Sequence, residues 1–189
     1  MAEPRYENPL DMLAASSRPS EAVQLRLVQA RSRLSFRTRD DAAIAAADDI
    51  TGTPLPRLAC RFSENDDRRA LWLGPDEWLL TAPLAQGPDL HEKLVKALKP
   101  FAHSLVDVSH RSVSFSVSGP MAARIINSGC PLDLGNTAFP IGGCTRTVLA
   151  KTEILLLRSG EEHYHIDVWR SFAPYAWNYL EEARREYIG

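Results

Sequence analysis

Residues 107–111 read Asp-Val-Ser-His-Arg, setting an acid, a hydroxyl, an imidazole and a guanidinium within five positions. Such groups run acyl transfer when a histidine takes the serine proton and an acid orients the other ring nitrogen. The spacing speaks against it. Side chains alternate along an extended chain, so Asp107 and Ser109 share one face and His110 points away. No glycine elbow surrounds the serine either. The stretch reads instead as a turn into a strand, capped by hydroxyl–backbone bonds. His110 and Arg111 are then exposed polar contacts for a partner.

The remaining reactive residues are more scattered. His163 and His165 flank Tyr164 and share one face of an alternating stretch. A metal needs three or four converging ligands, and no third stands out, so a solvated strand face is expected. His91 and His103 have no obvious company. Gly142-Gly143 completes neither GxGxxG nor GxxxxGK[ST], so a phosphate cradle is unsupported. Cys144 lies near Arg146, yet a nucleophile needs a thiolate-stabilising base, and a small buried cysteine at a strand start is the expected role. Trp72, Trp78, Trp169 and Trp177 read chiefly as core, with some left to mark a contact surface, where indole is favoured.

The elements that must position these groups follow from periodicity and turn chemistry. Alternation predicts strands over 22–28, 32–37, 70–74, 77–81, 104–108, 112–117, 144–150, 153–158 and 163–169. Gly74-Pro75-Asp76 joins one pair as a hairpin, and Lys151-Thr152 another. Helices are expected over 40–49, 88–98, 121–129 and 172–186, with Pro120 opening the third and Gly129 closing it. The fold class is therefore α+β: antiparallel-rich sheets packed with helices. The run of strand, helix, strand, strand and helix over 112–186 suggests a ferredoxin-like split β-α-β unit. Residues 1–20, punctuated by Pro4, Pro9 and Pro19, read as an extended arm with one apolar patch at 10–13. Residues 21–189 read as a single domain whose sub-lobes, if two form, divide near 101–111.

At 189 residues and 44% hydrophobic, the chain can bury a sufficient core without disulfides or metals. A net charge of −2 provides no field for nucleic acid or an anionic membrane. No apolar run approaches the roughly 20 residues of a membrane span. Three cysteines without a CxxC pair, and no signal-like start, make the cytoplasm the expected compartment.

Several motifs together carry a resemblance: WLGPDEWLLT (72–81), DVSHR (107–111), CPLDL (130–134), FPIGGCTRT (139–147) and RSFAPYAW (170–177). In these the chain closely resembles the gamma subunits of heterotetrameric sarcosine oxidases. The resemblance implies alpha, beta and delta partners and a complex that demethylates sarcosine. It also implies that FAD, FMN, NAD and tetrahydrofolate sit on other subunits, leaving this chain a structural role without a catalytic set. Trp72, Arg170 and Trp177 then join His110 and Arg111 as candidates for the partner interface.

A more distant likeness runs to aminomethyltransferase, the T-protein of the glycine cleavage system, whose folate-binding lobe PLDLGNTAFPIGG (131–143) is similar to. It implies the same fold and an alternative reading, a stand-alone folate-binding or one-carbon-transfer protein. Arg158, Glu161 and Trp78 would then lie near the pterin. In RSGEEHY the Gly160-Glu161 pair is present, but the Leu-Gly that follows in that family is absent.

Overall fold

Strands here read as continuous apolar runs because both faces are covered. In Glu153-Ile154-Leu155-Leu156-Leu157, the even-numbered residues face one apolar cluster and Leu155 and Leu157 face another. A computed structural model describes residues 7–188. Among these, two five-stranded antiparallel sheets stack face to face, each with helices on its outer side.

The first sheet has the order β3 (Phe62–Asn65), β4 (Arg68–Gly74), β5 (Glu77–Pro83), β2 (Arg31–Arg37), β6 (Ser104–Asp107). Its outer face packs Leu34, Phe36, Trp78 and Leu80 against α2 (Asp41–Thr51) and α3 (Gly87–Leu98). Asp40 caps α2 by accepting from the Ala42 amide, and Gly52, at φ +65°, ends it in the left-handed conformation. Leu90, Leu94 and Leu98 recur every four residues and give α3 its buried stripe.

The second sheet has the order β1 (Gln24–Leu27), β7 (Ser112–Ser118), β10 (His163–Trp169), β9 (Thr152–Gly160), β8 (Cys144–Leu149). Val113, Phe115, Val117 and Ile166 pack outward against α4 (Ala122–Asn127) and α5 (Ala173–Ala183). Trp177 of α5 meets Phe115 edge-on at 5.4 Å. Each such large side chain contributes about 1.5–3 kcal/mol by leaving water.

The α+β class with antiparallel sheets and helices is therefore observed. The ferredoxin-like order expected once occurs twice. β2, α2, β4, β5, α3 and β6 form one unit; β7, α4, β9, β10 and α5 form the second, with β1 from the far end of the chain as its last strand. Each unit has one added edge strand, β3 beside β4 and β8 beside β9. The two halves keep a constant offset: Glu77–Pro83 answers His163–Trp169, Gly74 answers Gly160, and Gly87-Pro88 answers Ala173-Pro174. The chain passes between sheets at 28–30 and again at 108–111.

Part of the expected arm, residues 1–6, lies outside the described residues. The rest departs from the extended reading. Asp11–Ser16 forms a short helix, α1, and Leu10 is fully buried in the core of the second sheet. The following segment is tied to the C-terminal helix. Arg184, with no exposed surface, donates to Val23 O at 3.1 Å, Ser17 Oγ at 2.7 Å and Arg18 O at 2.8 Å. Glu181 balances its charge at 2.9 Å. A six-residue helix carries too little periodicity to show in sequence, and Leu10 needs this apolar surface to leave water. The edge strand β3 was missed too, because FSEN neither alternates nor runs apolar. Leu10→Ala should lower the unfolding free energy by about 2–4 kcal/mol in urea titration; an unattached arm would give no change.

Candidate functional site

The turn at 107–111 reaches across the molecule. The Ser109 amide and hydroxyl both donate to Asp107 Oδ1, at 2.8 and 2.6 Å. Ser109 Oγ accepts from the Arg33 amide at 2.9 Å. The hydroxyl–backbone cap expected of this turn is present, and the serine proton is committed to a carboxylate. Burial alone would raise the Asp107 carboxyl, but the two bonds from Ser109, with His91 and His110 nearby, hold it below the usual range.

Arg33, whose backbone the turn holds, extends between the sheets. Its Nε donates to Asp167 Oδ2 at 3.0 Å and its Nη1 to Arg31 O at 3.0 Å. Nη2 donates to Ser114 Oγ, which donates onward to Asp167 Oδ1. Side-chain exposure is 3% for Arg33 and 15% for Asp167, so the pair is largely shielded from solvent. Burial would push the Asp167 carboxyl up; the Arg33 charge and hydrogen bond, with Ser114, outweigh it and hold it down. Sequence reasoning missed this pair, since Arg33 and Asp167 sit on different strands with no local signal linking them.

His163 and His165 share a face of β10, as expected, but differ in setting. His163 is exposed, while His165 is half-buried and its Nδ1 has no hydrogen-bond partner among the described residues. Burial, reinforced by the Arg69 charge, lowers the His165 imidazole to about 4. Two hollows flank the ion pair, of about 30 and 20 Å³. Small-molecule sites run to roughly 300 Å³ or more, so these two hollows are too small for a pterin.

The folate candidates do not converge. Arg158, 4% exposed, donates to Leu134 O (3.0 Å), Phe139 O (2.8 Å), Asn136 Oδ1 (2.5 Å), Glu161 O (2.7 Å) and Gly160 O (3.3 Å). Its guanidinium also lies 5.4 Å from the Tyr164 ring centre. Its donors are thus engaged in holding the 134–142 loop against β9. Trp78 is buried in the other half, donating to Pro56 O at 2.9 Å and packing near Phe36. Glu161 is exposed. The three residues do not fit a folate site.

The interface candidates divide. Trp177 is fully buried in the helix-facing core and offers no surface, because α5 turns its 173, 176, 177 and 180 positions inward. Trp72 is half-buried on β4. His110 and Arg111 are exposed, and the Arg170 amide donates to Arg111 O at 2.9 Å, which joins 108–111 to the end of β10. At that end stand Trp169, Phe172 and Tyr175, exposed by 46%, 44% and 39%. Of these, only Trp169 stood out in sequence; Phe172 and Tyr175 share a helix-like spacing that reads equally well as core. The surface formed by His110, Arg111, Trp169, Arg170, Phe172 and Tyr175 combines guanidinium groups with broad aromatic faces, the composition favoured at protein–protein contacts.

Two stacked ferredoxin-like units of this order define a fold that is shared with half of an aminomethyltransferase. Glycine cleavage system aminomethyltransferase T from Bartonella henselae superposes with a TM-score of 0.63 at 16% identity, over 91% of this chain and 49% of that one. The particular family is fixed by sequence. Residues 37–186 match the sarcosine oxidase, gamma subunit family, and the chain belongs to it. It is 32% identical over 167 residues to sarcosine oxidase subunit gamma of Corynebacterium sp. (strain P-1), covering 87% of this chain and 81% of that protein. A chain of heterotetrameric sarcosine oxidase from Corynebacterium sp. U-96, solved with pyrrole 2-carboxylate, superposes with a TM-score of 0.89 at 30% identity, over 97% of both chains.

Two outcomes follow for the inter-sheet layer. Asp167→Ala removes the carboxylate that the buried Arg33 guanidinium meets at 3.0 Å and should cost about 3–5 kcal/mol in urea unfolding. His165 is neutral in the folded chain, with its ring held at about 4, against about 6.5 when unfolded. The unfolded state therefore binds a proton the folded state does not, and stability should decline as pH falls from about 6.5 toward 4. His165→Gln should flatten that part of the urea-midpoint profile; an unchanged slope would assign it to another group.

Proposed function

We propose that this chain is the gamma subunit of a heterotetrameric sarcosine oxidase and serves assembly rather than chemistry. The observation that carries the reading is the whole-chain agreement with the heterotetramer's chain, at a TM-score of 0.89 over 97% of both. Its partners are the alpha, beta and delta subunits, which carry FAD, FMN, NAD and tetrahydrofolate, and the complex acts in the cytoplasm. Among the described residues no helix is long and apolar enough to cross a membrane. The engaged donors of Arg158 and the small inter-sheet hollows support placing the folate elsewhere in the complex.

In this reading the Trp169–Phe172–Tyr175 surface, with Arg111, meets a partner subunit. Aromatic and arginine side chains at the centre of a contact dominate its energy. Expressed alone, the chain should lack flavin absorbance and should not oxidise sarcosine; oxidation by the isolated chain would overturn the assignment. Co-expressed with the other three subunits, it should co-purify as a flavin-bearing, sarcosine-oxidising tetramer. The Arg111→Glu/Trp169→Ala chain should fold, by circular dichroism, yet co-purify at least about tenfold less, since loss of an anchoring residue costs about 2 kcal/mol or more.

A further inference from the structure

Where the edges of the two sheets meet, Arg61 and Gly143 form an antiparallel bridge. The Phe62 amide donates to Gly142 O and the Cys144 amide to Cys60 O, both at 3.0 Å. That register sets Cys60 directly opposite Cys144. Residues opposed across an antiparallel pairing have Cα atoms about 4.5–5.5 Å apart, inside the roughly 4.4–6.8 Å window a disulfide spans. The Cys144 thiol is fully buried and contacts Arg61 O at 3.2 Å, one residue from Cys60. Cys60 is exposed and held at φ +58°, a left-handed conformation uncommon for a side chain with a Cβ.

We propose that Cys60 and Cys144 are a peroxide-responsive pair that closes into a reversible disulfide joining the two sheets. Hydrogen peroxide oxidises the exposed Cys60 sulfur to a sulfenic acid, its O–O bond breaking and one water leaving. The Cys144 sulfur then displaces the sulfenic oxygen as a second water. In sum, two thiols give up two electrons and two protons, and one peroxide becomes two waters. Burial, with the Cys60 thiol nearby, pushes the Cys144 thiol up to about 12. Cys144 is thus the slow resolving partner and Cys60 the group that meets the oxidant. Cys130, buried beside Thr147 on the helix-facing side, stays reduced. The source of peroxide, as the two-electron product of dioxygen at an oxidase, rests on the proposed function; the bond itself does not.

The test uses the full-length chain, treated with dilute hydrogen peroxide, alkylated and peptide-mapped without reductant. A linked Cys60–Cys144 peptide is expected, two hydrogens lighter, with Cys130 alkylated and dithiothreitol restoring both thiols. Closing so long a loop should also raise the thermal midpoint by about 5–10 °C. Cys60→Ser, a surface change, should abolish both effects, and Cys130→Ala should keep them. Recovery of Cys60 as a sulfinic acid or an intermolecular disulfide, with Cys144 still alkylated, would overturn the proposal. Repeating the mapping on the tetramer turning over sarcosine, with and without catalase, separates the two readings. A bond formed by added peroxide but not during turnover retains the pair and removes the complex as its oxidant source.

Discussion

Two sheets that share a buried face must fill it from both sides, and in this protein the shared layer is only partly apolar. Leu71, Leu79, Leu155 and Leu157 fill one region, while Arg33, Asp167 and Ser114 occupy the middle. A buried arginine is tolerable only with a carboxylate and full hydrogen bonding, and the register of β2 against β10 must supply both. Removing one partner of a buried ion pair is costly, whereas an apolar replacement of both partners need not destabilise. The pair is therefore weak evidence for net stability, and what it adds is a defined contact between the two halves.

The same constraint shapes what the molecule presents to others. Helices cover both outer faces, the inner faces meet each other, and the hollows beside the ion pair are water-sized. Function is left to the ends of the strands and the loops that join them. There the Asp107–Ser109 turn, which fixes the Arg33 amide, also displays Arg111 beside Trp169. One short segment thus joins internal order to exposed surface. Family membership makes the chain one subunit among several, and the exposed aromatic end is the surface proposed to meet the others.

Much of the fold was legible. The hairpin at Gly74-Pro75-Asp76, the α3 stripe and the alternation of SVSFSV each follow a local rule, and each appears where that rule puts it. The site was less so. Trp177 looked like an interface residue because indole often is one, but only the docking of α5 on Phe115 shows which way it faces. Arg158 looked like a ligand-holding cation by family likeness, while its actual partners, the carbonyls of Leu134 and Phe139, carry no side-chain signature. The duplication of the ferredoxin-like unit was hidden as well, since matching positions hold Trp78 against Tyr164 and Leu80 against Ile166, alike in burial and not in name.

By itself the sequence determined most of the segments that become strands and helices, and to which family the chain belongs. These depend on period, turn residues and side-chain type, all of which act within a few positions. Only the tertiary structure decided that β1 completes the C-terminal half, that Arg33 finds Asp167, and that Cys60 faces Cys144. Such pairings join residues far apart in the chain, and their free energy exists only once the two sheets have closed on each other. No local pattern can encode them in advance.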